Sequence, residues 1–251
     1  MSAAKLHVVA EGPNNALLPV VFLHAAAGNA SHFAAQQAHL DNERRTFAVD
    51  LRGHGQSPRA SSFDIAAVAQ DVASALDRLE IDRFIVAGHS WGGAVAVALA
   101  AQSGERVRGL LLLDPASDGR AMPKPMADGL MASLEHNYEL VATRYYASLL
   151  ECARPEVKEK VTRDLAATPP ESVTGALGSL LCFDPVTPLR SLTIKRRTII
   201  TRLNDVPHAY QALVPELEAR RIDGTGHWLQ LDAPDTVNAE IDVFLADVDT
   251  Y

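Results

Sequence analysis

One stretch constrains the fold more than any other: Phe84-Ile85-Val86-Ala87-Gly88-His89-Ser90-Trp91-Gly92-Gly93-Ala94-Val95-Ala96-Val97-Ala98-Leu99. Its first part is an apolar, β-branched run of strand length, and its last part is alanine-rich and favours helix. A strand therefore meets a helix at Ser90. The connection is a very tight turn, and glycines at 88, 92 and 93 allow the close approach of helix to strand that it requires. The serine Oγ is left projecting at the tip. Ser90 also opens the following helix, where unpaired N–H groups and the helix dipole favour developing negative charge. A Gly-x-Ser-x-Gly between a strand and a helix marks Ser90 as a candidate nucleophile. The competing reading is a glycine-rich turn with an idle serine.

The rest of the chain alternates around this unit. Strands are expected at Leu6–Ala10, Leu18–Leu23, Thr46–Val49, Leu110–Leu113, Arg197–Thr201 and Ala219–Ile222. Helices are expected from Asn29 to Leu40 and from Asp64 to Leu79, the second with apolar residues at helical period and Asp64 as cap, then near 208–218 and from Pro234 to Leu245. Alternating strands and helices with nearly continuous apolar strands predict an α/β fold, a mostly parallel sheet with helices on both faces. The alternation breaks between Ser117 and Pro188, where only proline-separated helical pieces occur, such as Pro125 to Val141 and Val157 to Ala167. The expected organisation is therefore a core of residues 1–116 and 189–251 with a helical cap, 117–188, inserted over the C-terminal ends of the strands. Open α/β sheets place their ligands there.

Composition narrows the partners. With 251 residues, 47% of them hydrophobic and 22% charged, the chain suits a single domain with an insertion. A net charge of -8 gives no electrostatic footprint for nucleic acid or an anionic membrane. The first twelve residues lack an apolar core of signal length, and no stretch approaches the roughly 20 apolar residues of a spanning helix; a cytoplasmic protein is expected, as monomer or homodimer. Cys152 and Cys182 are expected as reduced, partly buried thiols. No cluster has metal-ligand spacing and no Gly-x-Gly-x-x-Gly occurs, so neither metal nor cofactor is expected.

A serine needs a base within hydrogen-bond reach and an acid to hold that base in the right tautomer. His227, in Gly224-Thr225-Gly226-His227-Trp228 between the last short strand and the last helix, is the expected base. Two aspartates follow strands: Asp205 in Leu203-Asn204-Asp205-Val206-Pro207, and Asp114 after the leucine strand. Both fit the order Ser, Asp, His. Asp205 is favoured because its strand neighbours the histidine's own, and Asp114 is the alternative. The backbone N–H groups of Trp91 and of Ala26, in the loop after the Val20 strand, are the expected oxyanion donors. Trp228, beside the base, is the expected aromatic of the substrate pocket, and Met122, Met126, Leu130, Met131, Leu134, Tyr138, Tyr145, Leu149 and Leu150 give the cap an apolar, pliable character.

Four segments carry a resemblance: His24 to Gly28, Asp50 to Ser57, Gly88 to Gly93, and Gly226-His227 with the downstream Pro234. They resemble the α/β-hydrolase superfamily, in its cap-bearing branch of serine esterases, enol-lactonases, carbon-carbon bond hydrolases and cofactor-free haloperoxidase-like proteins. The resemblance implies Ser90 as nucleophile, His227 as base, Asp205 as the usual acid, and Ala26 and Trp91 as oxyanion donors. It reads His24, His54, Asp50 and Arg52 as structural. One departure is His24-Ala25 where the family usually has His-Gly. Serine at 90 rather than aspartate separates the chain from the epoxide hydrolase and haloalkane dehalogenase members. The implied function is hydrolysis of a small carboxylic ester or lactone through an acyl-enzyme. The alternative is non-hydrolytic or carbon-carbon cleaving chemistry with His227 as general base, which gains if Asp114 is the residue that contacts His227. A third class, a receptor without turnover, would lack a catalytic residue, and none is missing.

Overall fold

The computed structural model describes residues 5–250. One seven-stranded sheet has the order β1-β3-β2-β4-β5-β6-β7, with β1 (Val8–Glu11), β2 (Val20–Leu23), β3 (Thr46–Val49), β4 (Phe84–His89), β5 (Val107–Leu113), β6 (Lys195–Ile200) and β7 (Glu218–Arg221). β1 runs antiparallel to β3, and every other pair is parallel. The helices are α1 (Ala34–Leu40), α2 (Ile65–Arg78), α3 (Trp91–Ser103), α4 (Lys124–His136), α5 (Tyr138–Leu149), α6 (Pro155–Ala167), α7 (Pro170–Leu180), α8 (Val186–Ser191), α9 (Tyr210–Leu213), α10 (Leu229–Asp232) and α11 (Pro234–Asp249).

The apolar strands are explained by the two-residue period of the sheet. Val21, Leu23, Val86, Leu110 and Leu112 face one core with α2 and α3. Their neighbours Val20, Phe22, Ile85, Ala87, Leu111 and Leu113 face the other, with α1 and α11. Both faces are covered, so the strands carry no polar alternation. Local signals set the helix starts: the Asp64 carboxylate accepts from the Ala67 N–H at 2.9 Å, a cap that stabilises by about 1 kcal/mol.

Between β5 and β6 the helices α4 to α7 build a third core from Leu134, Ala142, Tyr146, Val157, Val161 and Leu165, against which Ala27 and Trp228 pack. The one-turn α8 straddles the expected boundary at 188, and its Leu189 lies in the core shared with α2 and α3. Two expectations are corrected. The helix expected near 208–218 is the single turn α9, because Pro215 holds Val214 extended at φ -129°, ψ 84°. The two cysteines are free, as expected, yet exposed rather than partly buried.

Buried histidines tie the loops at the C-terminal rim of the sheet. His24 Nδ1 donates to the Ala25 carbonyl at 2.7 Å and its Nε2 accepts from the Leu51 N–H at 3.0 Å. His54 Nδ1 donates to the Arg52 carbonyl at 2.9 Å. Burial pushes both below the ordinary imidazole value, His54 to about 4. The unfolded chain then binds protons that the folded one refuses, so this stability is complete above pH 6.5 and is lost as pH falls toward 4. Urea unfolding is expected to show a loss on the order of 2 kcal/mol between pH 6.5 and pH 5 from His54 alone, smaller in His54→Gln; a midpoint flat over that range in the wild type would contradict this.

Candidate active site

β4 delivers Ser90 as expected, and the backbone shows why the glycines are needed. Ser90 sits at φ 55°, ψ -119°, a conformation whose strain is of order 1–3 kcal/mol and persists only where packing enforces it. A Cβ on Gly88 would lie 2.3 Å from the Gly92 carbonyl oxygen, and one on Gly92 would lie 2.4 Å from the carbonyl oxygens of Leu23 and His24. Helix α3 is thus pressed both onto its own strand and onto the exit of β2. That contact brings the loop after β2 beside the nucleophile. In this loop the Gly28 N–H bonds the Ala25 carbonyl at 2.9 Å, and the left-handed residue is Ala27 at φ 58°, not Ala25. Ala26 and Trp91 are buried residues, and the backbone N–H of neither has a protein acceptor among the described residues. Two backbone donors without protein acceptors, one of them next to Ser90 in the chain, suit an anionic oxygen.

The aspartate that meets His227 differs from the favoured expectation. His227 Nδ1 lies 2.6 Å from Asp114 Oδ2, with Asp114 1% exposed. The Asp114 carboxylate also accepts from the Thr201 N–H at 2.7 Å and the Thr201 hydroxyl at 3.1 Å. Asp205 does not meet the histidine. The short 3-10 turn Arg202–Asn204 carries it away from the end of β6, and its exposed carboxylate pairs with Arg221 on β7 at 2.9 Å. The backbone of His227 explains the difference. Its N–H bonds the Leu149 carbonyl at the end of α5 at 3.1 Å, and its carbonyl accepts from His89 Nε2 at 2.9 Å. His227 is therefore drawn over β4 and β5, which lead into Ser90 and Asp114. The useful sequence signal was distance from the strand: Asp114 follows Leu113 directly, whereas Asp205 lies beyond a polar turn.

His89 is fully buried, and burial, with His227 adding to it, holds its imidazole well below the ordinary value. It stays neutral, donating through Nε2 and accepting from the Gln230 amide at Nδ1 at 3.2 Å. The Asp114 carboxylate accepts the hydrogen bond from His227 Nδ1–H, which leaves Nε2 as the basic nitrogen. Ser90, Asp114 and His227 line one cavity of about 490 Å³.

Residues 20–240 match the family model described as "Alpha/beta hydrolase family". The chain belongs to this family. It is 28% identical over 243 residues to the dihydrolipoyllysine-residue acetyltransferase component of the acetoin cleaving system of Pseudomonas putida, a match to 90% of this chain and 63% of that protein. It is 35% identical over 96 residues to esterase YbfF of Escherichia coli, 38% of each. These matches thus span less than two thirds of either relative. Among solved structures, a thermophilic esterase from Thermogutta terrifontis superposes with a TM-score of 0.84 at 22% identity, over 98% of this chain and 94% of that one. Est816, described as an N-acyl homoserine lactone degrading enzyme, superposes with a TM-score of 0.80 at 26% identity, over 96% and 97%.

In this α/β hydrolase the cavity wall comes from the inserted helices and the loops beside them. Met122, Met126, Leu130, Leu134, Tyr145 and Leu149 face the cavity, whereas Met131, Tyr138 and Leu150 belong to the insertion's own core. Trp228 does not line it either. It is 1% exposed, with its ring 5.1 Å from His227 and 5.7 Å from Tyr146, because the glycine-containing loop turns the residue after the base inward beneath α5. Sequence reasoning also missed His89 and Thr201 as partners of the base and the acid. The histidine was visible in the serine motif; the threonine had no local signal.

Asp114→Asn is expected to lower turnover by roughly 10⁴-fold through loss of the correct imidazole tautomer. Asp205→Asn, which removes one exposed ion pair, should change it by less than about threefold. Steady-state kinetics of the two variants check this, and the reverse ranking would overturn the assignment.

Proposed function

We propose that the chain hydrolyses a neutral carboxylic ester or lactone carrying an apolar group, through an acyl-enzyme on Ser90. One observation carries the reading: a buried, Asp114-oriented His227 shares with Ser90 the floor of an apolar cavity. In the first step Ser90 Oγ bonds the carbonyl carbon and His227 Nε2 takes the hydroxyl proton. The carbonyl oxygen becomes an oxyanion opposite the N–H groups of Ala26 and Trp91, each such donor supplying about 3 to 4 kcal/mol. Asp114 stabilises the imidazolium. As the carbon–oxygen bond to the leaving group breaks, His227 returns the proton to it. Water then attacks the acyl-enzyme, giving one proton to His227, which passes it to Ser90 Oγ as the acid departs.

The relatives support this class. They include an esterase, the lipase LipV of Mycobacterium tuberculosis at 36% identity over 133 residues, and a lactone degrading enzyme. A haloalkane dehalogenase of the same organism is 26% identical over 273 residues, but the aspartate that those members use as nucleophile is serine here. The helices within residues 117–188 act as the cap that supplies the apolar wall.

Charge selects among esters. The residues lining the cavity include no lysine or arginine, and Arg120 is engaged by Asp118 at 2.8 Å. A carboxylate on the substrate would lose its hydration and meet no lysine or arginine. A second reading, non-hydrolytic or carbon-carbon cleaving chemistry with His227 as base, gains from the position of Asp114, since some members with such chemistry resemble this arrangement. It requires no acylation of Ser90.

A fluorophosphonate probe and p-nitrophenyl esters separate the two. Covalent labelling is expected at Ser90, found by peptide mass spectrometry, and Ser90→Ala should lose at least about 10⁴-fold in ester turnover. A serine that is never labelled, at any pH, would sink the acyl-enzyme. Among esters of one chain length, a neutral acyl group should exceed its ω-carboxylate counterpart by on the order of 100-fold in kcat/KM; equal rates would contradict the charge argument.

A further inference from the structure

Two different surfaces meet in the cavity. Helices α4, α5 and α7 line it with Met126, Leu130, Leu134, Val141, Leu149 and Leu177, whereas the loops after β5 and β6 bring Ser117, Asp118, Asn204 and His208. The aliphatic side suits an apolar chain. The polar side is more selective, because its hydrogen bonds fix which groups are left to meet a ligand.

Ser117 lies three residues beyond Asp114, and Asn204 three beyond Thr201, so the strand ends that join Asp114 to Thr201 also bring this pair together. Asn204 Nδ2 donates to the Pro115 carbonyl. A carbonyl only accepts, so the side-chain amide cannot be turned round, and its Oδ1 is left for Ser117. The Ser117 hydroxyl donates to that oxygen at 2.9 Å. A hydroxyl has one proton, and here it is used. The Ser117 oxygen keeps its lone pairs, and no protein donor reaches it among the described residues; toward a ligand it can only accept. The pair is braced from both sides, since Gln211 Nε2 donates to the Asn204 backbone carbonyl at 2.7 Å and the Asp118 N–H donates to the His208 carbonyl at 3.0 Å. Asn204 is 5% exposed, while Ser117 is half-buried. The neighbouring Asp118 carboxylate is engaged by Arg120 at 2.8 and 2.9 Å.

We propose that Ser117 Oγ is a specificity-determining acceptor, and that the substrate carries, besides its apolar chain, a neutral hydrogen-bond donor: a hydroxyl or a secondary amide N–H. A purely apolar ligand displaces water from the Ser117 oxygen and offers nothing in return, whereas a donor replaces the water. The inference rests on the acyl-enzyme reading above.

Matched esters test it, with hydrolysis followed by proton release. Ethyl hexanoates and hydroxyalkyl hexanoates carrying a hydroxyl at successive carbons, self-lactonising positions omitted, are each set against the methyl ether, which accepts but cannot donate. A second arm sets a secondary acetamide against its N-methyl form at the same positions, and the arm that discriminates tells hydroxyl from amide. In the wild type at least one donor-bearing ester should exceed its methylated partner by about 10- to 100-fold in kcat/KM. Ser117→Ala should shrink that ratio by about tenfold or more, through loss on the donor-bearing ester and not gain on the methylated one. Should the alanine variant fail to fold, Ser117→Cys, a weak acceptor of similar size, takes its place with the same expected fall. Ratios near unity in both wild-type arms would overturn the inference, as would a preference that the variant keeps or loses only because the methylated ester speeds up. Fluorophosphonate labelling of the wild type is read in parallel: a protein that never labels at Ser90 would instead remove the reading beneath.

Discussion

The Asp114 carboxylate holds the site together. It closes β5, bonds the backbone and hydroxyl of Thr201 just past β6, and meets the imidazole of His227 from the loop after β7. A buried carboxylate is costly unless its oxygens are satisfied, and here three donors from two other segments converge on it. The same bonds that make the charge tolerable also fix the imidazole ring. Stability and chemistry thus draw on one set of contacts.

Convergence at that rim follows from the parallel sheet. Because β2, β4, β5 and β6 run in one direction, their C-terminal ends lie together, and three of them hand different chemical groups to one rim: backbone N–H from the β2 exit, a hydroxyl from β4, a carboxylate from β5. The inserted helices then close the space above with aliphatic side chains. They also share hydrogen bonds with the working loops: the Tyr146 hydroxyl donates to the Ala26 carbonyl, and the Leu149 carbonyl accepts from the His227 N–H. A third contact points the same way: Trp91 Nε1 donates to the Ser179 hydroxyl on α7 at 3.1 Å. The insertion is therefore bonded into the site it covers.

Much of this was legible in the sequence, for a physical reason. Strand and helix periods, caps such as Asp64, and the glycine-flanked Ser90 are local signals, and local signals survive in one dimension. The histidine was legible from its place after the last strand. The acid was not, because choosing between Asp114 and Asp205 depends on where His227 is pulled, and that is decided by Leu149 and His89, which lie 78 and 138 residues away in sequence. Trp228 was misplaced for the same reason: adjacency to the base does not reveal which way a loop turns. The oxyanion turn was half legible. Alanine in place of glycine announced a conformational difficulty, but not that it falls at Ala27 or that a tyrosine 120 residues on bonds the neighbouring carbonyl.

The account stands or falls on which aspartate accepts the hydrogen bond from His227 Nδ1–H, and proton nuclear magnetic resonance reads that directly. A short, buried N–H···O bond to a carboxylate moves the imidazole Nδ1 proton far downfield. The wild type and Asp205→Asn should both show that resonance, and Asp114→Asn should lack it. A downfield proton that survives in Asp114→Asn, or disappears in Asp205→Asn, would contradict the central claim.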